Sequence, residues 1–210
     1  MSGLSVTLQA WPAETAFGGM APAALDFDAE LMVRVREGDD TSFAILLERH
    51  RDTVVRCVHR TIQNRAIAEE LAQETFLRVY RSRATYQPTA KFKTWMLRIA
   101  TNLALNWLRD SRKERGQASL DEEVLDRLER QVADRRPTRE QELLKDVKLR
   151  EVRRAVEALP PKQRLAVLLH KYEGLDYGRI AEALGCTEAA VKSLMFRAYE
   201  SLRARLTRAA

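Results

Sequence analysis

Residues 176–206 read DYGRIAEALGCTEAAVKSLMFRAYESLRARL. From Tyr177 to Leu184 the chain sets Ile180, Ala181 and Leu184 on one side at helical spacing, and Gly185 can take the left-handed conformation that ends a helix. Thr187 is a good N-cap for a second helix, along which Val191, Met195, Ala198 and Leu202 recur as one apolar stripe. Two helices joined by a short turn containing Gly predict a helix-turn-helix. The opposite face of the second helix carries Glu188, Lys192, Ser193, Phe196 and Arg197, with Arg203 and Arg205 further on, groups suited to base edges and phosphates. The same pattern would also serve an amphipathic hairpin with a solvated basic face, so the rest of the chain must discriminate between the two.

Composition narrows the classes. In 210 residues, 45% hydrophobic and 31% charged content describe a folded, charge-rich chain, and eight Gly with six Pro leave little room for a turn-rich β fold. The prediction is an all-α protein. The net charge of +6 favours an anionic partner. Two basic blocks, 30–116 and 140–210, flank a charge-dense connector, the layout expected if both touch nucleic acid. Cys57 and Cys186 lie far apart and outside any CxxC pair, so neither a disulfide framework, a metal site nor a cofactor is expected. The first residues lack signal-peptide features and no apolar run approaches the roughly 20 residues that span a bilayer, so a cytoplasmic protein without membrane insertion is expected.

In chain order, residues 1–27 show no period and read as a mobile tail. A short helix ends at Gly38, and Asp39, Asp40 and Thr41 cap a longer one whose seam is Phe43, Leu47, His50, Val54 and Val58. After Asn64 comes RAIAEELAQETFLRVYRSR, with Ala68, Ala72, Phe76 and Val79 on one side and Glu69, Glu70, Gln73 and Glu74 on the other. Acidic residues in a basic block cannot favour DNA and suggest a surface for a basic protein partner, against the plainer reading of a solvated helix face.

Pro88 predicts a loop over 86–90 and then a helix from about Lys91 to Arg112. Here Tyr86, Phe92, Trp95 and Trp107 alternate with Lys91, Lys93, Arg98, Arg109, Arg112 and Lys113, and rings among cations suit unpaired bases, at roughly 1–3 kcal/mol per stacked base. Phe92, Trp95, Ile99 and Leu103 fall on a core stripe, which makes Tyr86, in its loop, the better stacking candidate. Residues 114–139 read as a linker. Beyond it, Leu144, Val147, Val152, Val156 and Leu159 point one helix at a core. Pro161 then opens another, whose Leu165, Leu168, Leu169 and Tyr172 should pack beneath the helix-turn-helix.

Taken in order, AEELAQETFLRVYR, FKTWMLRIATNLALNWLR and LPPKQRLAVLLHKYEGLDYGRIAEALGCTEAAVKSLMFRAYESLRARL resemble the extracytoplasmic-function (ECF) group of bacterial sigma factors over most of residues 28–206. The resemblance implies two small helical domains on a flexible linker: region 2 over 28–113 and region 4 over 140–210. It implies that Glu70, Leu71, Gln73 and Glu74 dock on core RNA polymerase, and that Tyr86, Asn102, Lys91 and Lys93 serve the melted minus-ten element. Lys192, Ser193, Phe196 and Arg197 would meet duplex promoter DNA at the minus-thirty-five element. It also admits an anti-sigma factor as a partner. The sequence departs at Leu194, where many relatives carry Arg. On this reading the chain breaks no bond: Glu69 and Glu70 lack the nearby His, Cys or phosphate loop that catalysis would need. The rival is an ordinary helix-turn-helix repressor or activator whose N-terminal half senses a ligand or dimerises, which would require neither the acidic helix nor the 86–113 segment; a helical recombinase or nuclease would need a nucleophile or a carboxylate metal cluster that the sequence does not offer.

Overall fold

The computed structural model describes residues 26–117 and 141–208, with side chains for 26–113 and 149–207. Among the described residues all regular structure is helical. The tail assigned to 1–27 and the linker assigned to 114–139 lie almost wholly outside them.

Four helices form the N-terminal set: α1 (Phe27–Arg36), α2 (Asp40–Ile62), α3 (Arg65–Arg81) and α4 (Phe92–Gln117). Local chemistry starts each of the first three. Asp26 accepts the Ala29 N–H at 2.7 Å, Asp39 accepts those of Thr41 and Ser42, and Asn64 accepts that of Ile67. Between α2 and α3 the chain turns through Gln63, the one non-glycine residue with positive φ among those described. A 3₁₀ turn at Ser82–Thr85 leads into the loop before α4, which runs to Gln117, past the expected end at Arg112.

The C-terminal set comprises α5 (Gln141–Glu157), α6 (Pro161–Glu173), α7 (Tyr177–Leu184) and α8 (Glu188–Arg208). Pro161 opens α6 as expected. Asp176 caps α7 through the Arg179 N–H, and Gly185 ends it in the left-handed region at φ 61°. Thr187 then caps α8 through the Ala190 N–H. Leu165, Leu168 and Leu169 are buried beneath the α7–α8 hairpin, but Tyr172 is 59% exposed. Its ring instead carries the Arg60 guanidinium 3.8 Å above it, a contact a helical stripe cannot anticipate. Val152, expected to face inward, is exposed; Leu159 is buried. Leu144 and Val147 lie outside the described side chains.

The relative placement of the two sets, which the sequence left open, is contact. A continuous apolar core runs from Leu46, Phe92 and Met96 to Leu165, Leu169, Ile180 and Met195. The most extensive contact between the sets is α4 against α7, with α2 and α4 also touching α6. Among the described residues no helix is long and apolar enough to cross a membrane, and no group of three or more His, Cys, Asp or Glu could hold a metal ion.

Candidate nucleic-acid and polymerase interfaces

Three groups of residues stand out from the sequence as candidate surfaces. The first is on α8, where burial of Val191, Met195 and Ala198 fixes the rotation of the helix and turns Lys192, Ser193, Phe196 and Arg197 outward around one shallow concavity. Phe196 is 68% exposed, a large apolar surface left without cover on an otherwise polar face. Lys192 is held 2.9 Å from Glu188, whose hydrogen bond and charge raise the pKa of the ammonium above its ordinary value. Leu194 packs against the core rather than completing the cationic face.

The second surface is the outer side of α3. Glu70 and Gln73 are exposed, and the half-exposed Glu74 pairs with Arg78 at 2.7 Å. Leu71 is half-buried against the core and supports this face more than it lines it. Leu77, outside the residues expected from the sequence, is 49% exposed and continues the 70, 73, 74 spacing by one turn. That spacing is visible in the sequence and was the signal that could have found it.

The third group is not assembled. A loop position does not free the Tyr86 ring: only 3% exposed, it meets the edge of Trp95 at a centroid distance of 4.8 Å and that of Phe92 at 6.4 Å. Burying a large ring against two others outweighs exposure in a short loop. Burial, with the Asp26 and Asp28 carboxylates, pushes the phenol pKa up to about 12, and its hydroxyl has no partner. His50, buried in the seam as expected, lies tilted against Phe92 with ring centroids 5.4 Å apart and meets the Asp28 carboxylate at 2.9 Å. Lys91 and Asn102 are exposed, whereas Lys93 points across to α6 with its Nζ 2.8 Å from Glu173 Oε2. Nothing in the sequence pointed to Glu173, because its role exists only across the contact between the sets.

Residues 46–114 match the model of sigma-70 region 2, and residues 149–202 that of sigma-70 region 4. Over 176 residues the chain is 30% identical to the ECF RNA polymerase sigma-E factor of Salmonella typhimurium, covering 83% of this chain and 92% of the relative. The chain belongs to the ECF family of RNA polymerase sigma factors. The RNA polymerase sigma-H factor of Pseudomonas aeruginosa is 29% identical over 177 residues, covering 83% of this sigma factor and 91% of that protein. Two solved structures share the fold at 20% identity. One is CnrH in complex with the cytosolic domain of CnrY (TM-score 0.62, covering 87% of this chain and 99% of that one). The other is the sigma factor RpoE with the anti-sigma factor NepR from Bartonella quintana (TM-score 0.60, 79% and 96%). This is therefore an alternative sigma factor that directs promoter-specific transcription. Sigma factors as a class are initiation factors without catalytic activity of their own.

Proposed function

We propose that this sigma factor divides its work between its two helical sets. The outer face of α3, with Glu70, Gln73 and Glu74, docks on core RNA polymerase. The α8 concavity of Lys192, Ser193, Phe196 and Arg197 reads minus-thirty-five duplex. The segment from Tyr86 to Asn102, including Lys91 and Lys93, serves the opened minus-ten strand. Region 2 spans 28–113, region 4 spans 140–210, and residues 1–27 and 114–139 act as tail and tether. The observation that carries this reading is the outward presentation of an acidic helix face on one set and a cationic, aromatic face on the other. Neither face need bind tightly alone, because tethering both to one polymerase raises the effective concentration of each. The chain itself makes and breaks no bond, works in the cytoplasm beside the polymerase, and admits an anti-sigma factor as a regulator.

Transcription from a promoter library by core polymerase plus this protein tests the reading, with Glu74→Arg as the decisive variant. Breaking the exposed Glu74–Arg78 pair costs only about 0.3–0.5 kcal/mol, so the fold survives. Reversing the charge on the docking face should abolish binding to core polymerase. Normal binding by Glu74→Arg would show that the face is misassigned. A wild-type chain that ignored polymerase and bound a palindromic operator as a dimer would refute the whole division.

A further inference from the structure

The first turn of α8 holds a carboxylate on a face otherwise suited to anions. Glu188 is the first residue of the helix, and Thr187 before it already makes the cap through the Ala190 N–H, so the Glu188 side chain is not needed to start the helix. It stands one turn before Lys192 and two before Phe196 on the same outward stripe, and its Oε1 lies 2.9 Å from the Lys192 Nζ. Both side chains stay more than half exposed, 62% for Lys192 and 53% for Glu188, so the pair adds little to the stability of the fold. A carboxylate on a face that must approach phosphates repels them, and its presence there asks for a compensating contact. In a helix-turn-helix the first residues of the second helix are the ones that reach base edges.

A carboxylate only accepts hydrogen bonds and an ammonium only donates them. The donors on the major-groove edge are the cytosine N4 and adenine N6 amino groups. Each stands beside an acceptor of its partner base, guanine O6 or thymine O4, at a hydrogen-bond distance of roughly 3 Å. That separation matches the one between Nζ and Oε1, so the ion pair can lie over one base pair with its own hydrogen bond intact. The ammonium donates to the base acceptor while the carboxylate takes the amino hydrogen that base pairing leaves free, and neither charge loses its partner on docking. Guanine adds its N7 as a second acceptor on the ammonium side. In an A·T pair the adenine N7 falls beside the carboxylate and repels it, and the thymine methyl crowds the ammonium. With the strands exchanged, donor meets donor and acceptor meets acceptor.

We infer that Glu188 is a specificity-determining residue that works as one unit with Lys192 to read a single G·C base pair through the major groove, the ammonium on guanine and the carboxylate on the cytosine N4 amino group. The inference rests on the assignment of α8 to minus-thirty-five duplex and adds to it which base pair the first turn of the helix selects. The order of the two residues fixes the polarity, because Glu188, nearer the start of α8, sets the side on which the cytosine strand must lie.

The test uses the full chain with core polymerase on a promoter library randomised across the upstream duplex. At one position the wild type should prefer G·C over every other pair by about tenfold. Glu188→Ala should erase that preference and keep those at neighbouring positions. A measurement on the DNA needs no variant to fold. N4-methylcytosine at that position keeps its pairing with guanine and replaces the free amino hydrogen with a methyl group, and it should weaken use of the site by the wild type about tenfold while leaving Glu188→Ala unaffected. A preference that survives in Glu188→Ala, or an equal penalty from the methylated base in both proteins, would overturn the inference. So would an equal gain by Glu188→Ala on every sequence, the mark of a carboxylate that merely repels phosphates. Wild type without any upstream base preference would refute the duplex assignment of α8 as well, whereas preferences untouched by Glu188→Ala refute the base-pair assignment alone.

Discussion

Gln63 shows how a single residue bears the cost of a tight connection. It sits at φ 64°, left-handed, so that its N–H can reach the His59 carbonyl at 2.7 Å and Asn64 can begin α3 one residue later. A side chain there is strained by roughly 1 kcal/mol, and the Gln63 amide nitrogen is buried without a partner. Gln63→Gly should therefore raise the unfolding free energy by about 0.5–1 kcal/mol, read as a higher urea midpoint at unchanged slope. A lower midpoint would mean that the side chain contributes packing that outweighs the strain. Asn64 marked the break between the helices in the sequence. The left-handed residue before it did not show, because Gln carries no turn preference of its own.

At the scale of elements, α8 was the most legible. Its stripe of Val191, Met195 and Ala198 is buried, its Thr187 cap is made, and the opposite face is outward, because a helix with one apolar side has only one rotation that removes that side from water. Arg197→Ala should leave helix content unchanged by circular dichroism and weaken binding to a minus-thirty-five duplex by about 1–3 kcal/mol. Unchanged promoter use would move the reading face elsewhere on the helix. The loop before α4 was the least legible element. Tyr86 lies outside any helical stripe, as Pro88 implied, yet its ring is enclosed by Phe92 and Trp95. Periodicity describes helices and says nothing about where a loop side chain turns.

On the scale of the whole molecule, Arg164 joins three pieces of chain. Its guanidinium donates to the carbonyls of Thr61 on α2, of Leu159 at 3.1 Å, and of Glu157, and burial lowers its pKa from the ordinary value. Arg164→Met would leave those carbonyls to find other donors and should destabilise the protein by about 2–3 kcal/mol in denaturant unfolding. Arg164→Lys should recover little of that, because one ammonium cannot reproduce the planar fork. Full stability in the lysine variant would show that only the charge matters.

By itself the sequence determined the helical class, most of the caps and buried seams, and which helix faces carry charge, because each depends on residues three or four positions apart. Only the tertiary structure decided that the two sets share a core, that Tyr86 is enclosed, and that Lys93 meets a carboxylate 80 positions away. No local spacing can reveal such a pair, since it exists only once α4 and α6 have been brought together by burial of apolar surface on both.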